Sequence, residues 1–493
     1  MVAGPLRKAA HAVAGDWCAF VRQMRVTVGS GRTKPGLYQW RFHGGSQEQV
    51  RLHLRVEADG TGLLLVNVWE AVHLSALATE MARMLLDGVS VSQVARLLHN
   101  WYPQVPADQL QADLGRVAEL LQRARTPQAG CPTCGLQLER RPVFSTRARA
   151  PYKADLALTY ACNNACAHCY NEPGRKSMAS LSLPQWQRAL RKLTTIGVPH
   201  VIFTGGEPTL VPFLPALVAS AERLGLATGL NTNGRQLARD GLARKLARAG
   251  LDHVQVTLES PDAEVHDAMV GASAQAQTVR GIQSALDAGL HTITNTTLTS
   301  ATQSKAVEMV DFLHSLGITT FAMNGMICAG GGCHNPTSLT EASLIPLLDR
   351  VRSRAEELGM RFLWYTPTQY CKLSPLDLEL GPKACNAAEY SVCVEPSGDV
   401  LPCQSYYEPA GNLLTDEWSA IWESPLFSRI RNRREHPCEA GLPQRCWTCP
   451  DLPVCGGGCL LEQVSKEASQ TPKPSLAAAG SIRSEDPQAQ GGL

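Results

Sequence analysis

Three cysteines in CNNACAHC, Cys162, Cys166 and Cys169, follow one another with three and then two residues between them. Thiolates on so short a loop can wrap one face of an iron–sulfur cube and leave a fourth iron without a protein ligand, open to a substrate or cofactor. A zinc knuckle is the alternative, but structural zinc closes with four ligands and only His168, inside the loop itself, stands near. The next candidate strand ends in TGGEPTL. Its adjacent glycines, Gly205 and Gly206, let a ligand approach the backbone, and Glu207 can accept from an ammonium group. Alone, a glycine turn before a capping acid is common; one strand beyond the cysteine loop it is specific.

A second series lies near the C-terminus. Cys385 is followed after twelve residues by Gly398 and after four more by Cys403, and then Cys446, Cys449, Cys455 and Cys459 come at spacings of two, five and three. A structural zinc built from Cys446, Cys449, Cys455 and one further ligand is the plain alternative. Cys131 and Cys134, in GCPTCG, form half a metal site: a zinc clip, a contribution to a deficient cluster, or a reduced turn. Cys328 and Cys333, in ICAGGGC, are candidate catalytic thiols, and could instead be ligands or ordinary loop thiols. Cys371 and Cys18 have no neighbourhood that argues function.

The chain that must position these residues is 493 long, with 46 Lys and Arg against 44 Asp and Glu. That length implies two to four domains. A net charge of +2 offers no field to attract nucleic acid or acidic membranes, and neither is expected as a partner. No apolar run is long enough to span a bilayer, and the first twenty residues lack an export signal. The expected location is therefore the cytoplasm, where 17 cysteines, an odd number, are metal ligands before they are disulfides.

Six strand candidates, ADLALTY, HVIFTG, ATGLNTN, HVQVTLE, TITNTTLT and TTFAMNG, alternate with helical periods between about 152 and 330. The pattern predicts parallel strands joined by helical crossovers within the α/β class, and six such units favour a partial (β/α)6 TIM-like barrel over a two-layer sandwich. Periodicity alone does not separate a barrel from a doubly wound open sheet, and in either the ligands gather at the carboxyl ends of the strands. Asn231, Asn233 and Asn295 are polar residues at such ends. Upstream, VRLHLRVEADGTGLLLVNVWEAVHL alternates around a D-G turn, and SALATEMARMLL, VSQVARLLHNWY and DQLQADLGRVAELLQR read as three helices, with Ser90 and Asp108 where N-caps would be. Trp418 and Trp422, four apart on a helix, read as packing. The expected divisions are an extension (1–47), an α+β domain (48–125), a linker with CPTC (126–151), the barrel (152–330), a connecting helix and strand (331–370), a Cys-rich loop-dominated domain (371–461) and a disordered tail (462–493).

CNNACAHC followed by TGGEPTL resembles the radical S-adenosylmethionine (SAM) superfamily. The resemblance implies a [4Fe–4S] cluster on Cys162, Cys166 and Cys169 whose unique iron is chelated by SAM, with Gly205, Gly206 and Glu207 at the methionine amino group and His168 beside the adenine. VQVTLESPD and HDAMVG resemble the family's fourth strand and its sequel; Thr257 and Glu259 there face one way and could meet ribose hydroxyls, or be an inward polar pair solvated at the barrel mouth. The C-terminal series resembles the SPASM extension, which implies one or two auxiliary [4Fe–4S] clusters: Cys385, Cys403 and Cys459, with Cys393, at the first, and Cys446, Cys449 and Cys455 at the second. The family pattern expects a last cysteine downstream of Cys459, and none follows. The second cluster could be open at one iron, borrow Cys438, use an oxygen ligand or be absent.

LLDGVSVSQVARLL within residues 48–124 is similar to the PqqD-like domain, or RiPP recognition element, a winged-helix-like fold that takes a precursor's leader peptide as an added strand. Arg96 and His99 are too few for a DNA-reading helix. Together the resemblances imply an oxidoreductase that cleaves SAM to a 5′-deoxyadenosyl radical, fed by an external one-electron reductant of flavodoxin or ferredoxin type. Its substrate would be a ribosomally made precursor peptide, oxidatively crosslinked. Epimerisation, action on a folded protein or cofactor precursor, and a non-catalytic metal-dependent peptide carrier are the alternatives.

Overall fold

The computed structural model describes residues 33–43, 49–67, 70–125, 148–239, 241–333 and 335–462. Cys18, the Cys131–Cys134 pair and the tail lie outside them.

Parallel strands buried on both faces read as near-continuous apolar runs, and six of them stand where the sequence places them. They are β5 (Lys153–Thr159), β6 (His200–Gly205), β7 (Ala227–Thr232), β8 (His253–Thr257), β9 (His291–Thr297) and β10 (Thr320–Asn324), paired in chain order. The helix between β5 and β6, Leu183–Ile196, shows why the crossovers form. Ser182 and Gln185 make a capping box, Trp186, Ala189, Leu190 and Leu193 form one buried stripe, and Gly197 ends the helix in the left-handed conformation. The sheet extends past six strands on both sides. β11 (Arg361–Trp364) runs parallel to β10, while β12 (Ser391–Val394) from the Cys-rich segment runs parallel to β5 and pairs antiparallel with β13 (Val400–Leu401). Cys393 is thereby the register partner of Asp155. Trp418 and Trp422 stack at 5.4 Å, as packing residues do.

The N-terminal unit is a four-stranded antiparallel sheet in the order β1 (Gly36–His43), β2 (Gln49–Val56), β3 (Gly62–Val66), β4 (Glu70–Leu74). Three helices follow: α1 (Ala76–Leu86), α2 (Val91–Trp101) and α3 (Ala107–Ala124). Its first strand falls inside the span assigned to an extension. Ser90 caps α2 with Gln93 in a capping box. Asp108 does not cap α3: Pro106 occupies the cap position, and Asp108 sits in the first turn, where a carboxylate also favours the helix.

β2 explains how this unit is held. Val50, Leu52, Leu54 and Val56 enter its own core, while Arg51, His53 and Arg55 on the other face are no more than 4% exposed. That basic face is covered by the loops that lead into the barrel strands. Arg51 pairs with Glu222 and Asp252, His53 Nε2 meets the Gly225 carbonyl at 2.9 Å, and Arg55 donates to the Ala150 carbonyl at 3.0 Å. Gly225, at φ +76°, admits the Gln39 side chain where any Cβ would overlap it. The small domain therefore sits at the N-terminal ends of the strands, opposite the mouth.

Candidate active site and metal centres

Residues 160–171 run along the carboxyl ends of the strands as a loop with almost no regular structure of its own, and neighbours hold its shape. The Ala165 N–H donates to the Val270 carbonyl at 2.9 Å, and the Gly331 N–H to the Cys169 carbonyl at 2.7 Å. A Cβ on Gly331 would stand 2.6 Å from the Ala167 carbonyl, so only glycine lets the 330–332 turn lie against the loop. Arg235 clamps the other side: its Nη1 donates to the Asn163 carbonyl and, at 2.8 Å, to Asn164 Oδ1, while Nε donates to Gln277 at 2.9 Å.

The loop brings Cys162, Cys166 and Cys169 together. Burial raises all three thiol pKa values, and any negative charge on Cys166 is further opposed by Glu259, Cys169 and Cys162. Three thiols are thus assembled where they resist ionisation unless a cationic group joins them. Among the described residues no three His, Cys, Asp or Glu side chains meet as single-ion ligands do; thiolates around a cube each stand on a different iron and share no common point.

Two residues expected at the cofactor, Glu207 and Glu259, are held by hydrogen bonds inside the protein. Glu207 is fully buried and accepts from the Thr209 N–H at 3.0 Å, the Thr209 hydroxyl, the Thr232 hydroxyl at 2.7 Å and the Asn233 N–H at 2.8 Å. Burial raises its pKa against those bonds. Glu259, 1% exposed, accepts from the Thr297 N–H at 2.7 Å and meets His168 Nε2 at 3.0 Å. It orients His168 on the cluster loop and leaves no free oxygen at the surface. Burial works against a protonated His168, yet Glu259's charge and hydrogen bond prevail and raise its pKa. Its Nδ1 is buried without a protein partner. Thr257 closes β8, half-buried. Gly205 and Gly206 abut the Thr159 and Ala161 carbonyls, where a Cβ would stand 2.1 and 2.4 Å away. Asn233 joins the site through Asn163, at 2.7 Å, whereas Asn295 pairs with Asn324 at 2.8 Å. Cys328 and Cys333 face each other at 3.4 Å between sulfurs, flanking the glycines over the loop.

Residues 156–313 match the radical SAM superfamily, and residues 385–450 match the iron–sulfur cluster-binding SPASM domain. A PqqA peptide cyclase of Streptomyces rochei is 31% identical over 336 residues, covering 65% of this chain and 88% of that protein. The chain belongs to the radical SAM superfamily. The mycofactocin maturase MftC of Mycobacterium ulcerans (strain Agy99) is 29% identical, over 63% of this chain and 83% of its own length. In fold, the chain is similar to Streptococcus suis SuiB bound to its precursor peptide SuiA, with a TM-score of 0.62 at 18% identity, covering 86% of this chain and 96% of that one.

Radical SAM and SPASM proteins use [4Fe–4S] clusters and SAM, and the residues present fit them: a thiol triad on one loop, a glycine-lined approach and an unpartnered His168 nitrogen. The SPASM thiols fall into two groups. Cys385, Cys403 and Cys459 lie within electrostatic reach of one another; burial and then Cys385 push Cys403 up to about 12, and burial with Cys385 and Cys403 raises Cys459. Cys393, fully buried on β12, is raised by burial, Asp155 and then Cys403. Cys446, Cys449 and Cys455 form the second group, and Cys438 is exposed.

Sequence reading missed what ties this domain to the cluster loop. Arg175 pairs with Glu395 and lies 3.9 Å from the Tyr407 ring centre, and Tyr407 donates to Asn171 at 3.0 Å. Single arginines and tyrosines far apart in sequence carry no spacing signal, so neither Arg175 nor Arg235 could have been picked out.

Proposed function

We propose that this radical SAM enzyme is a peptide maturase that oxidatively crosslinks a ribosomally made precursor through a thioether or carbon–carbon bond. The observation that carries the reading is the joining of three parts in one body: the thiol triad at the mouth, auxiliary thiols on a strand paired to β5, and a separate sheet domain fixed beneath the barrel. When bound, the triad's cluster and SAM supply a 5′-deoxyadenosyl radical that takes a hydrogen atom from the substrate. Cys162, Cys166 and Cys169 hold the cluster. Gly205 and Gly206 let the methionine end approach, Glu207 braces that turn from within, and Glu259 sets His168 against the adenine. Cys385, Cys393, Cys403 and Cys459 hold the first auxiliary cluster, and Cys446, Cys449 and Cys455 contribute to a second, which suits a reaction that must remove an electron from the substrate. A flavodoxin- or ferredoxin-type protein is the external electron donor.

The leader of the precursor binds the N-terminal domain. Among the described residues β4 is the last strand of its sheet, and an edge strand is where a leader peptide adds as a further strand. Holding the leader raises the local concentration of the core, which need contribute little affinity itself. The relatives named above as a peptide cyclase and a maturase support the peptide-modifying reading.

The test is anaerobic incubation, with SAM and a one-electron reductant, of a candidate precursor peptide from any short open reading frame found beside the gene. A loss of about two mass units, the two hydrogens removed on closing one bond, is expected, dependent on SAM and abolished by Cys166→Ala. No 5′-deoxyadenosine from the reduced protein sinks the enzyme reading. An unchanged mass with deuterium uptake sinks crosslinking in favour of epimerisation. Peptide binding unchanged after removal of residues 1–125 refutes the leader assignment.

A further inference from the structure

The second auxiliary site is one thiol short in the C-terminal series, and the structure supplies a thiol from the opposite direction. After β11 the chain turns through residues 368–373 and lies against the loop that bears Cys446, Cys449 and Cys455. The Tyr370 N–H donates to Cys455 Sγ at 3.4 Å, and that sulfur stands 3.8 Å from the Thr368 carbonyl. Gln369 accepts from Arg445 at 2.8 Å and donates to the Gly457 carbonyl at 3.4 Å, so both flanks of the cysteine loop are tied to the same short segment. Lys372 and Leu373 N–H groups close a turn on the Gln369 carbonyl at 2.8 and 3.0 Å, which fixes Cys371 between them.

Cys371 follows directly on the residue that bonds Cys455. Cys371 also lies within electrostatic reach of Cys446, as Cys455 and Cys449 do. We infer that Cys371 is the fourth thiolate of a second auxiliary [4Fe–4S] cluster held by Cys446, Cys449 and Cys455. The inference deepens the auxiliary-cluster reading and rests on it. It makes the site a closed one, every iron held by protein, in contrast to the open triad at the mouth. A cluster there would be held by the four thiols as thiolates, whose charge its cationic core would balance.

Iron and acid-labile sulfide, counted on the full chain after anaerobic reconstitution, test the assignment alongside electron paramagnetic resonance of the reduced protein. Cys162, Cys166 and Cys169 are replaced by Ala so that only auxiliary clusters contribute. This parent should hold about eight irons, two cubes of four. Adding Cys371→Ala should remove up to four irons, or keep them with a changed spectrum that shifts again when a small thiol is added. Cys371→Ser should retain iron with shifted g-values, and Cys438→Ala should change neither. A parent with about eight irons whose count and spectrum are untouched by Cys371→Ala overturns the ligand assignment alone. A parent with about four irons, unaffected by Cys446→Ala, or one with a zinc ion bound stoichiometrically by the four thiols, overturns the second cluster and the assignment with it. A melting curve of each variant separates ligand loss from misfolding.

Discussion

Replacing Arg51 measures how firmly the N-terminal domain is fixed to the barrel. Its side chain is 5% exposed and divides between Asp252, Nε to Oδ1 2.5 Å, and Glu222, Nη2 to Oε2 2.6 Å. Arg51→Met keeps the apolar stem and removes the charge. Breaking a fully buried pair by removing one partner costs about 3–5 kcal/mol. Here the loss is smaller, because the carboxylates keep 20% and 24% of their exposure, Glu222 keeps Arg41, and Asp252 keeps the Thr228 N–H at 2.8 Å. Discounting for water and those partners leaves about 2 kcal/mol, or roughly thirty-fold in the undocked population. Hydrogen exchange reads this directly: amides at 225–228 and 250–254 should exchange about thirty-fold faster by local opening, while the interior of β6 is unaffected. Arg51→Lys reaches one carboxylate at a time and should fall between. Unchanged exchange at those loops in Arg51→Met would refute the claim that this residue holds the interface, and equal loss throughout β6 would show that the two units do not separate.

Acidification should loosen the same interface. Burial, against the Gly225 carbonyl and with Arg51 and Arg41 nearby, lowers the His53 pKa from 6.5 to about 4. The unfolded chain then binds a proton through that window which the folded chain refuses, so stability is lost as pH falls from about 6.5 to 4, by about 3 kcal/mol. His253, lowered to about 3 by burial, His291 and Lys153, adds in the same sense. Denaturation midpoints measured from pH 7.5 to 4.5 should fall, and less steeply in His53→Gln; a flat profile contradicts the linkage. At the mouth, Arg235→Leu removes three hydrogen bonds to the cluster loop and Gln277. At roughly 1 kcal/mol each, about 3 kcal/mol in all, 5′-deoxyadenosine formation should drop by up to about a hundred-fold or somewhat more, with partial recovery in Arg235→Lys; an unchanged rate would show that the loop keeps its shape without the clamp.

What could be read in the sequence follows from the range of the interactions. Strand alternation, helix stripes and caps are local, so β5 to β10 and α1 to α3 were legible, and Asp108 lies only two positions past the actual cap, within the first turn. The thiol triad was legible because one loop carries all its members. Glu207 and Glu259 drew attention for the right reason, carboxylates at strand ends, but their hydrogen-bond partners lie on β7, β9 and the cluster loop. Only the packed sheet shows that they brace the site from inside. Cys371 is the clearest case. Fourteen positions upstream of Cys385, it breaks no spacing rule and fits none, and its neighbours are assembled by the fold of β11 and the C-terminal loops.

The two ends of the barrel impose a length on the proposed substrate. A leader on the N-terminal domain is held below the strands, while the triad lies above them. Six residues in β6 span about 20 Å. A peptide that runs outside the sheet must also clear the helices, about 10 Å out and 10 Å back. The path is roughly 40 Å, and an extended chain covers about 3.4 Å per residue, so the recognised leader segment and the modified residue must be separated by about twelve residues. Shortening the spacer one residue at a time should leave leader affinity unchanged and abolish modification once it falls below that length. Full turnover with a spacer of about five residues would mean that the leader lies elsewhere, nearer the mouth, and that the domain beneath the barrel has another task.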